Sequence, residues 1–310
     1  MSELLLGGVA ACCACFFTNP FEVIKTRVQL QGELKARGQY HVVYRNVFHA
    51  FYSVATTERL VSLQKGLIPA TWYQFFMNGI RLGVYQCCDN LGLLRNKQNE
   101  VVFLNSIIYG AVSGIAGAVV ASPLYMVKIQ LQSKAAIPDP VGHQHNIQSM
   151  TQAFRQIYLT QGLSGLWRGF QSSAARVAVG SAVQLTTFSK IQDAFNEKQL
   201  FTRDSYIGLF CASTITGIAV TAAMTPFDVV ATRLYNQPVI NESNKGLYYS
   251  GIMDCMIKMF KTEGFFGFYK GWAAAFLRIG PHSVLSLMFW RKLRQFYFEV
   301  NVPAQTREVS

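Results

Sequence analysis

Three long apolar runs, Leu4 to Thr18, Phe103 to Ala121 and Ile207 to Thr225, each lead into a proline. Gly, Ala, Ser, Thr or Cys punctuate them at four-residue steps, as at Gly110 and Gly114, a spacing that lets membrane helices approach closely. Past the proline the helical pattern continues through a basic turn, then breaks at polar segments such as 31–39 and 237–246. A short amphipathic stretch follows, clearest over Ile252 to Phe260. A second apolar span then begins: Leu67 to Leu94, Phe170 to Phe195, Trp272 to Phe298. The pattern predicts six spans, each long enough to cross a bilayer.

The alternation is an internal repeat. Asn19-Pro20-Phe21-Glu22-Val23-Ile24-Lys25 returns as Ser122-Pro123-Leu124-Tyr125-Met126-Val127-Lys128 and as Thr225-Pro226-Phe227-Asp228-Val229-Val230-Ala231, with prolines 103 residues apart. A second element, Gln64-Lys65-Gly66, returns as Trp167-Arg168-Gly169 and Tyr269-Lys270-Gly271, with glycines 103 and 102 residues apart. Two elements in register over three copies divide the chain into repeats at 1–99, 100–200 and 201–310. Each proline frees a carbonyl, and the small polar residue before it (Asn19, Ser122, Thr225) is expected to help satisfy the backbone.

Composition agrees. Of 310 residues 51% are hydrophobic and only 14% charged, against about 25% in a soluble domain. A mean hydropathy of +0.20 is too low for purely lipid-facing helices, so each helix keeps one wet face. The seven cysteines sit in apolar runs, with no histidine at zinc-like spacing, and imply a reducing compartment. No basic segment precedes the first apolar run, so no cleaved secretory signal is expected. With no nucleophile–base set and no metal cluster, neither an enzyme nor a cofactor is expected. The net charge of +12 admits nucleic acid, anionic lipid or an anionic solute as partner, and placement must decide.

Pro-x-acid-x-x-base, followed about 30 residues later by acid-Gly-x-x-x-x-aromatic-base-Gly, resembles the mitochondrial carrier family of solute transporters over Leu4 to Phe298. Within it, the chain is most similar to the fungal oxaloacetate/sulfate carriers and the animal members 34 and 35 of solute carrier family 25. Repeat three is complete (Glu263-Gly264 to Tyr269-Lys270-Gly271); repeat one has Arg59 for Gly and Gln64 for the aromatic, and repeat two starts Gln161-Gly162. The resemblance implies an all-α membrane protein of the mitochondrial inner membrane. Six tilted transmembrane helices would surround a cavity with threefold pseudosymmetry, with three amphipathic helices on the matrix side and both termini in the cytosol. Sixteen of the 28 Lys+Arg fall in the three post-proline segments and nine on the other side, which fits matrix-side loops and disperses the charge too widely for nucleic acid.

Three arginines remain, Arg81, Arg176 and Arg278, lying 15, 7 and 7 residues past the repeat glycine, well inside the second spans. An unneutralised intramembrane arginine costs on the order of 2.5–3.5 kcal/mol, and no acid lies at that depth in the same spans. Pairing with carbonyls or snorkelling to an interface is one reading; a cationic pocket for an anion is the other. The resemblance favours the second and makes the three a substrate triad. Guanidinium forks suit carboxylate and sulfate oxygens, so a small dianion such as oxaloacetate, malate, malonate or sulfate is the expected substrate. An uncoupling-type proton or fatty-acid-anion leak regulated by nucleotides is the alternative. Helical spacing adds Asn78 and Gln74 beside Arg81, Gln184 beside Arg176, and His282 beside Arg278. His282 either bonds a neighbouring helix or couples protons.

The resemblance also implies two gates. On the matrix side Glu22 would face Lys128 and Asp228 would face Lys25, while Tyr125 and Ala231, which have lost charge together, make an uncharged third contact. On the cytosolic side Asp89 would pair with Arg291, Gln86 with Gln192, and Ser189 with Arg294. Cardiolipin-like lipid is expected at the helix starts around Gly66, Gly169, Gly251 and Gly271. The carrier would work as a monomer by alternating access.

Overall fold

A computed structural model describes residues 2–36, 38–95, 102–135, 141–197, 206–240 and 245–301. The repeat boundaries expected at 99/100 and 200/201 lie outside these residues. Each repeat opens with a long proline-containing helix: α1 (Ser2–Leu30), α4 (Phe103–Ser133) and α7 (Tyr206–Asn236). A short helix follows: α2 (Val47–Thr57), α5 (Met150–Gly165) and α8 (Ile252–Glu263). A second long helix closes the repeat: α3 (Leu67–Asn90), α6 (Phe170–Glu197) and α9 (Trp272–Asn301). The only strands among the described residues are two residues each, Val239–Ile240 paired antiparallel with Lys245–Gly246.

Neighbouring helices close a ring in the order α1–α3–α4–α6–α7–α9–α1. The three opening helices are long and apolar enough to cross a membrane. The closing helices, of 24, 28 and 30 residues, match them in length but carry more polar side chains. Packing is densest at the loop-bearing end. There the last turns of α1, α4 and α7 are nearly all buried, Arg27, Ile24, Met126, Ile129, Arg233 and Tyr235 among them. Many large apolar residues elsewhere, such as Phe16, Ile108, Val120, Ile218 and Leu287, are exposed on the outside of helices, as lipid-facing surface requires.

The carbonyls freed by the prolines are satisfied from an unexpected direction. Gln64 Nε2 donates to Phe16 O (3.1 Å), four residues before Pro20, and Trp167 Nε1 donates to Val119 O (2.7 Å), four before Pro123. Asn19 and Ser122, expected in that role, are turned elsewhere: Asn19 donates to Leu63 O, and Ser122 bonds the Tyr235 hydroxyl. So the position before the base-Gly pair selects a side chain with a donor, which a glutamine supplies as well as an indole.

That glycine is also dictated by geometry. Gly66, Gly169 and Gly271 stand at the starts of α3, α6 and α9 with φ of 72°, 85° and 78°, a region that side chains avoid. A Cβ on Gly66 would lie 2.9 Å from Gln132 Cγ and 3.1 Å from Lys128 O. The acid-Gly step repeats the requirement, with φ of 69° at Gly162 and 72° at Gly264. Arg59 occupies the same step at φ 76° and ψ 152°, backbone that is almost reserved for glycine.

Candidate functional site

At the loop-bearing end the three post-proline turns converge. Lys25 Nζ pairs with Asp228 Oδ2 at 2.6 Å, tying α1 to α7. Lys128 pairs with Glu22, tying α4 to α1, and its ammonium lies 5.4 and 5.3 Å from the ring centres of Tyr73 and Tyr125. All four charged side chains are less than a tenth exposed. At the third seam Tyr125 and Ala231 are both buried, and Tyr125 packs edge-on against Tyr235 one turn past Ala231 (5.2 Å between centroids). Its hydroxyl donates to Asp228 Oδ1 at 3.5 Å. These contacts link the three helices in the order α7–α1–α4.

Two of the three intramembrane arginines join this cluster. Arg278 Nη1 donates to Glu22 Oε1 at 2.8 Å. Arg176 lies 3.8 Å (Nε) from Asp228 Oδ1, donates through Nη2 to the Tyr73 hydroxyl at 2.9 Å, and stacks 5.2 Å from the Tyr125 ring centre. The expectation that these arginines lack nearby carboxylates is therefore corrected. The acids belong to the neighbouring helices α1 and α7, and a search confined to each arginine's own span cannot see them.

Arg81 does not assemble with the other two. It is exposed and forms no hydrogen bond or ion pair among the described residues. Its distance from Gly66 exceeds that of Arg176 and Arg278 from their glycines by eight residues, about 12 Å of helix rise. The residue of α3 in register with the two arginines is Tyr73, seven past Gly66, and it is Tyr73 that touches Arg176. The signal was present in the glycine count, but a charge-based search passes over a tyrosine.

Of the secondary positions, Gln74 and His282 meet: Gln74 Nε2 lies 2.8 Å from His282 Nε2, and His282 Nδ1 lies 3.1 Å from Thr18 Oγ1. Thr18 donates its own proton to Ala14 O (3.0 Å), so it accepts from Nδ1–H while Nε2 accepts from the Gln74 amide. Both ring nitrogens of His282 are thus occupied. Asn78, half-buried, and Gln184, exposed, have no hydrogen bond among the described residues. Gln184 lies two turns past Arg176, and its register partner, fifteen past its glycine, is Arg81.

A second layer of charge lies just outside the first. Glu58, between α2 and α3, accepts from Arg27 Nη1 and Nη2 (2.6 and 3.0 Å) and from Lys65 Nζ (2.9 Å). Glu263 does the same for Arg233 (2.5 and 2.9 Å) and Lys270 (2.6 Å). Burial pushes both carboxyls up, but the bonds from their bases outweigh it and hold them below the usual range. Repeat two has Gln130, Gln161 and Arg168 at these positions. Arg168 has Nε and Nη1 buried without a hydrogen-bond partner, and burial pushes its guanidinium down to about 10.

The profile of mitochondrial carrier protein matches three times, over residues 1–95, 99–199 and 202–301. The chain belongs to the mitochondrial carrier family. It is 50% identical over 295 residues to mouse (Mus musculus) solute carrier family 25 member 35, covering 95% of this chain and 98% of the relative. It is 35% identical over 309 residues to the Mitochondrial oxaloacetate transport protein of Saccharomyces cerevisiae, covering 96% and 90%. It is 37% identical over 293 residues to the Mitochondrial citrate transporter E of Aspergillus niger, covering 91% and 89%. The protein is a transporter rather than an enzyme, a multi-pass carrier of the mitochondrial inner membrane whose short helices lie on the matrix side.

The cytosolic end of this carrier is not closed by the pairs expected there. Asp89 binds Arg95 (Nε–Oδ1 3.0 Å), not Arg291, which is exposed and unpaired among the described residues. Gln86 donates to Asn90 Oδ1 within its own helix; the Gln192 side chain lies outside the described residues. Arg294 stacks 5.3 Å from the Trp290 ring centre, and no bond joins it to Ser189.

Proposed function

We propose that the carrier moves a small dianion of the oxaloacetate, malonate or sulfate kind by alternating access. One observation carries this reading. At the closed matrix gate four cations (Lys25, Lys128, Arg176, Arg278) share two carboxylates (Glu22, Asp228), leaving two positive charges in a buried site. An anion bearing two charges restores neutrality; a cation or a zwitterion does not. The names of the oxaloacetate and citrate relatives point to the same class of solute.

The mechanism follows from who shares what. Arg278 and Arg176 each use part of the guanidinium on a gate carboxylate that a lysine also holds. A dianion entering from the cytosolic side competes with Glu22 and Asp228 for the two arginines, with Tyr73 orienting Arg176. Each carboxylate then keeps only its lysine, the gate weakens, and the matrix ends separate. Arg81 is the next cation toward the cytosol, two turns away. A groove of about 510 Å³ between the starts of α3 and α5, lined by Lys65, Gly66, Lys134 and Ser149, suits an anionic lipid headgroup of the cardiolipin kind.

Uptake of labelled sulfate and malonate into liposomes tests the reading. Arg176→Ala should lower uptake about tenfold or more, since hydrogen bonds to charged groups are worth ~1.5–3 kcal/mol. Uptake unchanged in that variant sinks the proposal.

A further inference from the structure

Three seams close the matrix face, and they are not alike. Between α1 and α4, Glu22 pairs with Lys128, Thr26 Oγ1 donates to Gln132 Oε1 (3.1 Å), and Arg27, braced by Glu58, donates to Gln132 O (3.2 Å) and Lys134 O (2.7 Å). Between α7 and α1, Asp228 pairs with Lys25, Thr232 Oγ1 donates to Gln29 Oε1 (2.7 Å), and Arg233, braced by Glu263, donates to Gln29 O (3.3 Å). The two seams use the same residues in the same register. Between α4 and α7 every one of these devices is gone. The ion pair is Tyr125 with Ala231, the Thr–Gln bond is Ile129 with Tyr235, and the braced arginine is Gln130 with Gln161 behind it.

What remains at the third seam carries less charge: Tyr125 and Arg176 reach Asp228 only at 3.5 and 3.8 Å, and His145 Nε2 bonds Asn236 O at 2.9 Å. Gln130 Nε2 reaches Tyr235 O at 3.4 Å and Arg168 Nη2 reaches Gln237 O at 3.5 Å, against 2.9 and 3.1 Å for the equivalent Lys270 and Lys65 bonds. Unpaired buried polar atoms collect here: Arg168 Nε and Nη1, Gln130 Oε1, and both amide atoms of Asn236, which is fully buried. The tyrosine contacts, Tyr235 to Ser122 (3.0 Å) and to Ser173 (3.2 Å), carry no charge.

We infer that the matrix face opens asymmetrically: the α4–α7 seam, between repeats two and three, parts first, while α1, held on both sides, acts as the hinge. This does not depend on which solute is carried. Native-state hydrogen exchange on the unmodified carrier in lipid nanodiscs, without added anion, decides it. Amides at 23–30 of α1 should exchange about tenfold or more slowly than those at 126–133 of α4 and 230–237 of α7, as loss of charge-assisted bonds worth ~1.5–3 kcal/mol requires. Gln130→Arg with Gln161→Glu rebuilds the missing brace, gives Arg168 its carboxylate, and should slow α4 and α7 towards α1. Equal exchange of the three ends in the unmodified carrier overturns the inference, whether or not the variant folds. A folded variant that leaves α4 and α7 unchanged overturns it too.

Discussion

Glu22 is the hub of the α1–α4 side of the site, and its replacement separates charge balance from contact loss. Its carboxylate serves Lys128 and Arg278 at once, with side chains 8%, 5% and 19% exposed. Glu22→Gln leaves two buried cations facing a neutral amide, a cost of about 3–5 kcal/mol. Lys128→Met and Arg278→Met each leave Glu22 paired one to one, and should cost only the lost charged bond, ~1.5–3 kcal/mol. Arg278→Met belongs at the lower end because its side chain is the most exposed of the three. Thermal denaturation of the purified carrier in detergent, free of anions, ranks the three variants. Added sulfate should then stabilise Glu22→Gln more than the unmodified protein, because the cluster has one more unmatched charge, and should lose its effect in Arg278→Met. If either methionine variant is as unstable as Glu22→Gln, or sulfate protects Arg278→Met as well as the parent, the charge argument is wrong.

Three further outcomes are expected. Arg59→Gly should raise stability by roughly 1 kcal/mol or more, measured by thermal denaturation, because it relieves a backbone conformation that costs a side chain ~1–3 kcal/mol. Arg27→Gln with Glu58→Gln, which copies repeat two, should destabilise less than Glu58→Gln alone, since the single change strands Arg27 and Lys65; the opposite order in a double-mutant cycle would refute the coupling. Burial holds His145 well below its ordinary value, at about 4, with Nε2–H donating to Asn236 O (2.9 Å). Below an unfolded value near 6.5 the unfolded chain takes up a proton that the folded ring refuses. Stability should therefore fall as pH drops from about 6.5 towards 4, and the fall should be shallower in His145→Gln.

Much of this carrier was legible because a threefold repeat supplies its own controls. Proline and glycine spacings carry the element order, and the joint loss of charge at Tyr125 and Ala231 agrees with the cyclic pairing that the resemblance implies. What escaped were contacts between helices that no local pattern links, charged and uncharged alike. Tyr73 was invisible to a search for cations, although counting seven from Gly66 reaches it. The donors to the proline-freed carbonyls, Gln64 and Trp167, each sit 48 residues along the chain from their acceptors, and no local pattern links them. The cytosolic pairs failed for another reason. In the proposed cycle those pairs belong to the state in which that end is closed.

The gate and the site are best understood as one object. A closed seam made only of matched ion pairs would open equally readily with or without cargo, and would leak. In the proposed mechanism the two carboxylates that close the gate are also the counterions that keep the empty site tolerable in a buried setting. In the proposed cycle an anion of sufficient charge must arrive before Arg176 and Arg278 can release Glu22 and Asp228 without stranding a charge. A monoanion neutralises half the surplus, so it should bind yet drive opening poorly; acetate uptake well below malonate uptake in the same liposomes is the expected reading. Equal rates for the two would mean that charge balance does not govern the transition, and would return the arginines to a purely structural role.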